Sequence, residues 1–429
     1  MSVLFSPRRR RRHALAGIAL ACVFSLNPAW AAPPVVGFDE AIRLAVERAP
    51  ELDARRSQTE AARHEAVRAA ALPDPKLSAG IDNLPVTGSD AFDFGADMMT
   101  MKRIGLIQEF PARAKRQARQ ALADRTVDQA QALTVAEQLA VRQSAAQAWV
   151  SLWAAERELG ALTGLRDQSA LAVRISKAQL SGGGGTAVDT LAAQSAALEL
   201  ESRIEAAEAA VDAARGSLAR WLGRAPEGLS AEGAPPDFNT LPSNESTLLA
   251  SVDRIGPLLA WQAREAVAEA QVSLASAEKR PDWSIGAGYG QREGGRSDML
   301  TIEFSIGLPL FTANRQDRGV AARRAELEAV AFSREDARRA QIETIRRALA
   351  QWKGLKRQIE LKEQQQLPLA RDRAQVAIAS YGGGGELQPW LLARRDELEL
   401  HIGHARHLGE LGRAWAALAF LLPAQEAQR

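Results

Sequence analysis

Ser181–Glu201 reads SGGGGTAVDTLAAQSAALELE, and Tyr381–His401 reads YGGGGELQPWLLARRDELELH. In both stretches four glycines lead to Leu191 or Leu391, then to Ala193 or Ala393, then to the triplets Leu198-Glu199-Leu200 or Leu398-Glu399-Leu400. Agreement at this many positions, each offset by 200 residues (391 − 191), marks a duplicated unit.

The flanks show what the unit is. No proline occurs from Ala112 to Ala225, and the residues up to Leu180 are mostly strong helix formers, with Trp149 and Trp153 one turn apart. Such a segment predicts a helix of about 100 Å, longer than a compact domain accommodates. Beyond the first glycine run Leu191 and Leu198 are seven apart, and so are Ile204, Val211 and Leu218 after a one-residue slip. This is coiled-coil spacing with an interruption. The second half repeats the plan from Ala313 to Ser380, with Pro368 as its one break, and resumes with Leu391, Leu398, Leu411 and Leu418. Glycine ends a helix and permits a tight reversal, so Gly182, Gly183, Gly184 and Gly185, and likewise Gly382, Gly383, Gly384 and Gly385, are expected at the tips of helical hairpins. Thr186 to Asp189 has the form of a capping box for the returning helix, whereas the second tip offers Glu386 and Pro389.

Period-two stretches lie at the other end of each unit. Trp283, Ile285, Ala287 and Tyr289 alternate with small or polar residues, as do Leu300, Ile302, Phe304, Ile306 and Leu308. In the first unit Leu77, Ala79 and Ile81 alternate in the same way, and a less regular strand runs from Met101 to Phe110. Proline marks each junction, at Pro73-Asp74-Pro75, Pro111, Pro281 and Pro309. The expected plan is a first unit over 32–225, with a hairpin at about 76–110 and a tip at about 181–188. A Pro- and Gly-containing connector over 226–250 leads to a second unit over 251–429, with its hairpin at about 282–309 and its tip at about 381–389.

Arg8 to Arg12, the apolar stretch Ala14 to Phe24 and the small-x-small site Ala29-Trp30-Ala31 read as a signal peptide over 1–31. Its removal takes five arginines and no acid, so the formal charge goes from +2 to −3 (2 − 5), which argues against nucleic acid as a partner. The one cysteine, Cys22, lies inside that leader; lipid attachment there is the alternative to cleavage after Ala31. The rest of the chain holds no apolar run long enough for a transmembrane helix. It also lacks a nucleophile elbow, a phosphate loop and a His–Cys pairing, so neither an enzyme nor a cofactor is expected. His401, His404 and His407, spaced by three, are weak candidates for a shared cation, as are the thioethers of Met98, Met99 and Met101 for a soft ion.

Four strands cannot close a barrel, and lipid does not tolerate an open sheet edge, so the hairpins must be completed by further copies. At this point the chain resembles the TolC family of outer-membrane efflux proteins. The resemblance rests on Phe38-Asp-Glu-Ala41, on Ala49-Pro50-Glu51-Leu52, on Gln108-Glu-Phe-Pro111 followed by Lys115-Arg116, and on Tyr381 before the second glycine run. It implies a mainly α fold with a β membrane part, in which a homotrimer forms a twelve-stranded β-barrel in the outer membrane and an α-barrel in the periplasm. It further implies passive export, with energy from an inner-membrane pump of the resistance-nodulation-division type and a periplasmic adaptor docking at the tips. The glycines and Asp189 and Tyr381 would form that docking and opening element. Gln108 to Pro111 is similar to the branch serving heavy-metal exporters, and a drug or protein exporter, or a periplasmic coiled-coil adaptor, is the alternative. An acidic residue often opens the returning helix in this family: Asp189 fits, but Pro389 and Leu392 stand at the second tip, which puts a carboxylate ring there in doubt.

Overall fold

The computed structural model describes residues 35–225, 227–382 and 387–423. The leader sequence, most of the second glycine run (residues 383–385) and Glu386 lie outside these. Helices α1 (Phe38–Arg48) and α2 (Pro50–Ala69) lead to strands β2 (Lys76–Asp82) and β3 (Met101–Phe110). Helix α3 (Arg113–Thr163), α4 (Arg166–Ser181) and α5 (Ala187–Leu222) complete the first half. The second half repeats the order with α7 (Trp261–Ala277), β5 (Trp283–Gln291), β6 (Met299–Ile306), α8 (Gln316–Leu361), α9 (Leu367–Gly382) and α10 (Leu387–Ala419).

The four long strands form one antiparallel sheet in the order β2-β3-β5-β6, so the two hairpins, read separately in the sequence, are fused by the β3–β5 seam. Strands β2 and β6 are its edges. From the sheet the helices run away as a bundle, and at 51 residues α3 alone extends roughly 75 Å.

The ascending helices are not continuous. α3 gives way at Gly164 and Leu165, where the Gly164 N–H bonds back to Gly160, and α4 begins afresh at Arg166. Two glycines within one turn weaken a helix whose neighbours are good formers. In the second half the break comes before Pro368, as a π-turn over Lys362–Gln366. Proline has no N–H and its ring clashes with the carbonyl four residues earlier, and widening the preceding turn relieves both.

The main core lies in mid-bundle, where Trp149, Leu152, Leu218, Leu222 and Leu411 are fully or almost fully buried. The Trp149 indole N–H donates to the Val36 carbonyl at 2.8 Å, fixing the short parallel pair β1 (Val35–Val36) and β4 (Ser230–Ala231) against α3. The connector is part of this core rather than a loose strap: Phe238 is buried, and Asn244 caps a helix, α6 (Glu245–Ala250). Ile204, Val211 and Leu218 are buried as their spacing predicts, but Leu191 and Leu198 are 64% and 72% exposed. The slip between the two sets turns the tip-proximal leucines away from the rest of the chain.

Candidate functional site

The sheet sorts its side chains by face. Cross-strand pairs Leu77–Leu106, Ala79–Ile104, Ile104–Tyr289, Leu106–Ala287, Ala287–Ile302 and Ile285–Phe304 stand on one face. The other carries Ser78, Gly80, Arg103, Gly105, Gly286, Gly288, Glu303 and Ser305. Lys102 and Gln108 enter the apolar face near the ends of β3, and Ile107 stands on the other face opposite Gly286, which is why that strand looks irregular in sequence. Among the described residues nothing covers the apolar face: Leu77, Leu300 and Ile302 are 72%, 74% and 73% exposed. In water this sheet would be strongly unfavourable, and in hydrocarbon it is at home. The ten residues of β3, tilted by about 45°, rise about 24 Å, close to the apolar band of outer-membrane barrels. Aromatic rings sit at the helix-proximal end, where Phe110 stacks on Trp283 at 4.1 Å and Trp283 meets Phe304 at 5.9 Å. Tyr289, bonded to Asp298, marks the opposite end.

Sheet and bundle are joined at a compact polar node. The Asp282 carboxylate accepts from the Ala112 N–H at 2.8 Å and from Lys115 Nζ at 2.7 Å. Burial works against ionisation there, yet Lys115 and the Ala112 N–H hold the Asp282 carboxyl below its ordinary value. Gln108 Nε2 donates to the Pro73 carbonyl at 2.8 Å, and Glu109 pairs with Lys76. Gln108 to Pro111 therefore builds the strand-to-helix junction.

At the far end, the first tip is a full Schellman turn. The Gly183 N–H donates to Leu180 O at 3.3 Å, the Gly184 N–H donates to Gln179 O at 3.0 Å, and Gly183 has φ +76°. A Cβ on Gly185 would lie 2.9 Å from Gln179 Cβ and 3.1 Å from the Leu180 nitrogen, whereas Gly184 faces open space. Thr186 and Asp189 then form the reciprocal capping box. Tyr381 and Gly382 end α9, and the Tyr381 hydroxyl accepts from Gln179 Nε2, so the two tips are hydrogen-bonded to each other. Gly383, Gly384 and Gly385 lie outside the described residues. Between the tip-proximal halves of α4, α5 and α10 runs an open groove of about 240 Å³, walled by Ala172, Ala193, Ala196, Trp390, Leu391 and Leu398.

The histidines point to separate partners. His404 Nε2 lies 2.9 Å from Glu363, His401 Nε2 is 4.0 Å from Glu397, and His407 Nδ1 is buried without a hydrogen bond. Burial and then the Lys362 charge push His407 below its ordinary value, with Glu410 opposing. Among the described residues no three His, Cys, Asp or Glu side chains are grouped to hold a metal ion. Met98 and Met99 are exposed in the β2–β3 loop, and Met101 opens β3. Among the described residues no helix is long and apolar enough to cross a membrane.

The comparisons with known proteins agree with this geometry. No curated protein matches the sequence. Among solved structures, the Vibrio cholerae outer membrane protein VceC superposes with a TM-score of 0.73 at 18% identity, covering 91% of this chain and 96% of VceC. The Neisseria gonorrhoeae MtrE outer membrane channel in its open state gives 0.71 at 18%, covering 90% and 88%. CusC, described for its folding and transmembrane channel formation, gives 0.75 at 16%, covering 90% and 92%. Residues 257–423 match the family of outer membrane efflux proteins, and over about nine-tenths of its length the chain has the fold of these solved outer-membrane proteins.

Proposed function

We propose that this chain is the outer-membrane channel of a tripartite efflux system, a passive conduit rather than an enzyme. The observation that carries the reading is the four-stranded sheet, apolar and uncovered on one face, with two unpaired edges, mounted on a helical bundle. Three copies of four strands make twelve, enough to close a barrel and remove every edge. The helices then surround a tunnel through the periplasm. Its entrance is formed by six tips, two per chain, which meet a periplasmic adaptor. The inner-membrane pump, of the resistance-nodulation-division type, supplies the energy.

Heavy-metal cations are the proposed cargo. Support for this is the resemblance of Gln108 to Pro111 to the heavy-metal branch. Because those residues serve the junction, cargo choice is assigned to the pump. Membrane fractionation and mass measurement in detergent test the channel: a trimer in the outer membrane is expected, and a stable water-soluble monomer overturns the reading. Loss of the gene should sensitise cells to cobalt, zinc, cadmium or copper; sensitivity to drugs alone would move the cargo to the drug-exporting alternative.

A further inference from the structure

Both ascending helices lose regular geometry at the same height. Beyond the Gly164-Leu165 break, α4 has 16 residues to the first tip, and beyond the π-turn α9 also has 16 residues, ending at Gly382. Each break therefore lies about 24 Å from its tip. The returning helices α5 and α10 pass this height without interruption.

Packing changes at the same level. On the sheet side of the breaks the main core holds Trp149, Leu152, Trp153, Leu355, Ile359 and Leu411. At the level of the breaks a small apolar cluster of Leu162, Leu200, Ile204, Ala207 and Ile402 is buried, and nearer the tips the buried cluster among the described residues has only Ala172 and Trp390 as its buried members. Besides a seam of small buried residues, Ala193, Ala370, Ala374 and Ala393, the tip segments are joined by polar pairs: Arg166 to Glu201 at 2.7 Å, Arg373 to Asp396 at 2.7 Å, and Arg394 to Gln168. Exposed ion pairs contribute little, so the free energy that resists opening falls once the apolar core ends.

One turn of α10 straddles both breaks. Gly403 lies under Lys362, with space that a Cβ could occupy only at 2.9 Å from Nζ. His404 bonds Glu363 in the π-turn, and Arg406 reaches Glu158 at 2.7 Å, six residues before Gly164 (164 − 158).

We propose that residues 163–165 and 362–368 form a paired hinge, about which α4 and α9 swing as levers while the sheet-proximal bundle stays fixed. The turn of α10 at 403–406 is the anchor on the fixed side. Bending at these two points disturbs little regular helical bonding, because a glycine joint and a π-turn ahead of a proline already depart from it. The unbroken α5 and α10 follow by gentle curvature. This mechanical property belongs to the chain and holds whatever passes through the tunnel.

Hydrogen exchange on the purified full-length protein in detergent tests it. Amides of α4 and α9 should exchange as two blocks, on the order of a hundredfold faster than those of 140–158 and 345–359, with a step at each break. A straightened chain, with Gly160→Ala, Gly164→Ala, Pro368→Ala and Gln365 deleted, should slow the blocks roughly tenfold while leaving the remainder of α3 and α8 unchanged. Protection that declines smoothly toward the tips, or tip exchange unaltered in the straightened chain, overturns the hinge. If that variant does not fold, the presence or absence of the step in the unmodified protein decides.

Discussion

At the scale of single residues, the four glycines of the first tip are not equivalent. Gly183 needs its left-handed backbone, which costs a side chain about 1 kcal/mol or more, and Gly185 needs its missing Cβ. Gly184 needs neither. Gly183→Ala and Gly185→Ala should therefore open the turn at 178–186 more readily in hydrogen exchange, while Gly184→Ala stays within about 0.5 kcal/mol of the parent. Equal loss in Gly183→Ala and Gly184→Ala would show that the Schellman geometry is not what the glycines serve. His407 gives a second test. It faces Lys362 from the π-turn, with Glu410 and His404 on its own helix, and its lowered value means that the folded chain resists taking up a proton there. The stability this gives is present above the ordinary histidine pKa of about 6.5 and is lost as the pH falls through the lowered folded value. The melting temperature should drop between about pH 7 and pH 5, and His407→Gln should remove part of that drop. An identical pH profile in the variant would refute the assignment.

At the scale of elements, the junction and the sheet faces make distinct demands. Asp282→Ala leaves the Ala112 N–H and the Lys115 ammonium without their shared acceptor. Since the carboxylate is itself 47% exposed and screened by water, the expected cost is about 1 kcal/mol, and Lys115→Ala should add little on top of it in a double-mutant cycle. Additive losses would mean that the two residues act separately. Ile302→Lys places a charge on the apolar face and should cost about 2–4 kcal/mol in the bilayer, depleting the protein from the membrane, whereas the neighbouring Thr301→Lys on the polar face should insert normally. Equal insertion of the two would undo the assignment of faces. Much of this was legible in the sequence because period two fixes strand faces and Pro or Gly fixes boundaries. Trp283 to Tyr289 and the capping box at Thr186 lie where those signals put them. Other features had only a partial signal. Pro368 announced a break but not a π-turn, the strong helix formers around Gly164 masked the other break, and the heptad step from Leu191 to Leu198 did not reveal that both leucines point away from the chain. Period alone gives a stripe, and what covers the stripe depends on tertiary neighbours. The burial of Phe238 could not be read from a connector composition of Pro and Gly, although a lone aromatic beside Pro235 and Pro236 was its one hint.

At the scale of the whole molecule, a single chain leaves its business unfinished at both edges of the sheet. Cysteines placed in turn along β2 and β6 should form disulfides between chains, giving dimer and trimer bands, and no such product at any register would remove the proposed barrel. The seam between β3 and β5 also has a consequence for how the protein comes into being. Phe110 pairs with Trp283 across 173 residues of chain (283 − 110), while each hairpin is local. Loop-closure entropy delays such distant pairing, so the hairpins form early and the seam late, after most of the polypeptide has been delivered. Throughout that interval two sticky ribbons coexist in one nascent molecule, each able to zip onto the wrong neighbour. Shortage of soluble chaperones that shield apolar β-segments should therefore harm this chain more than a helical protein of equal length.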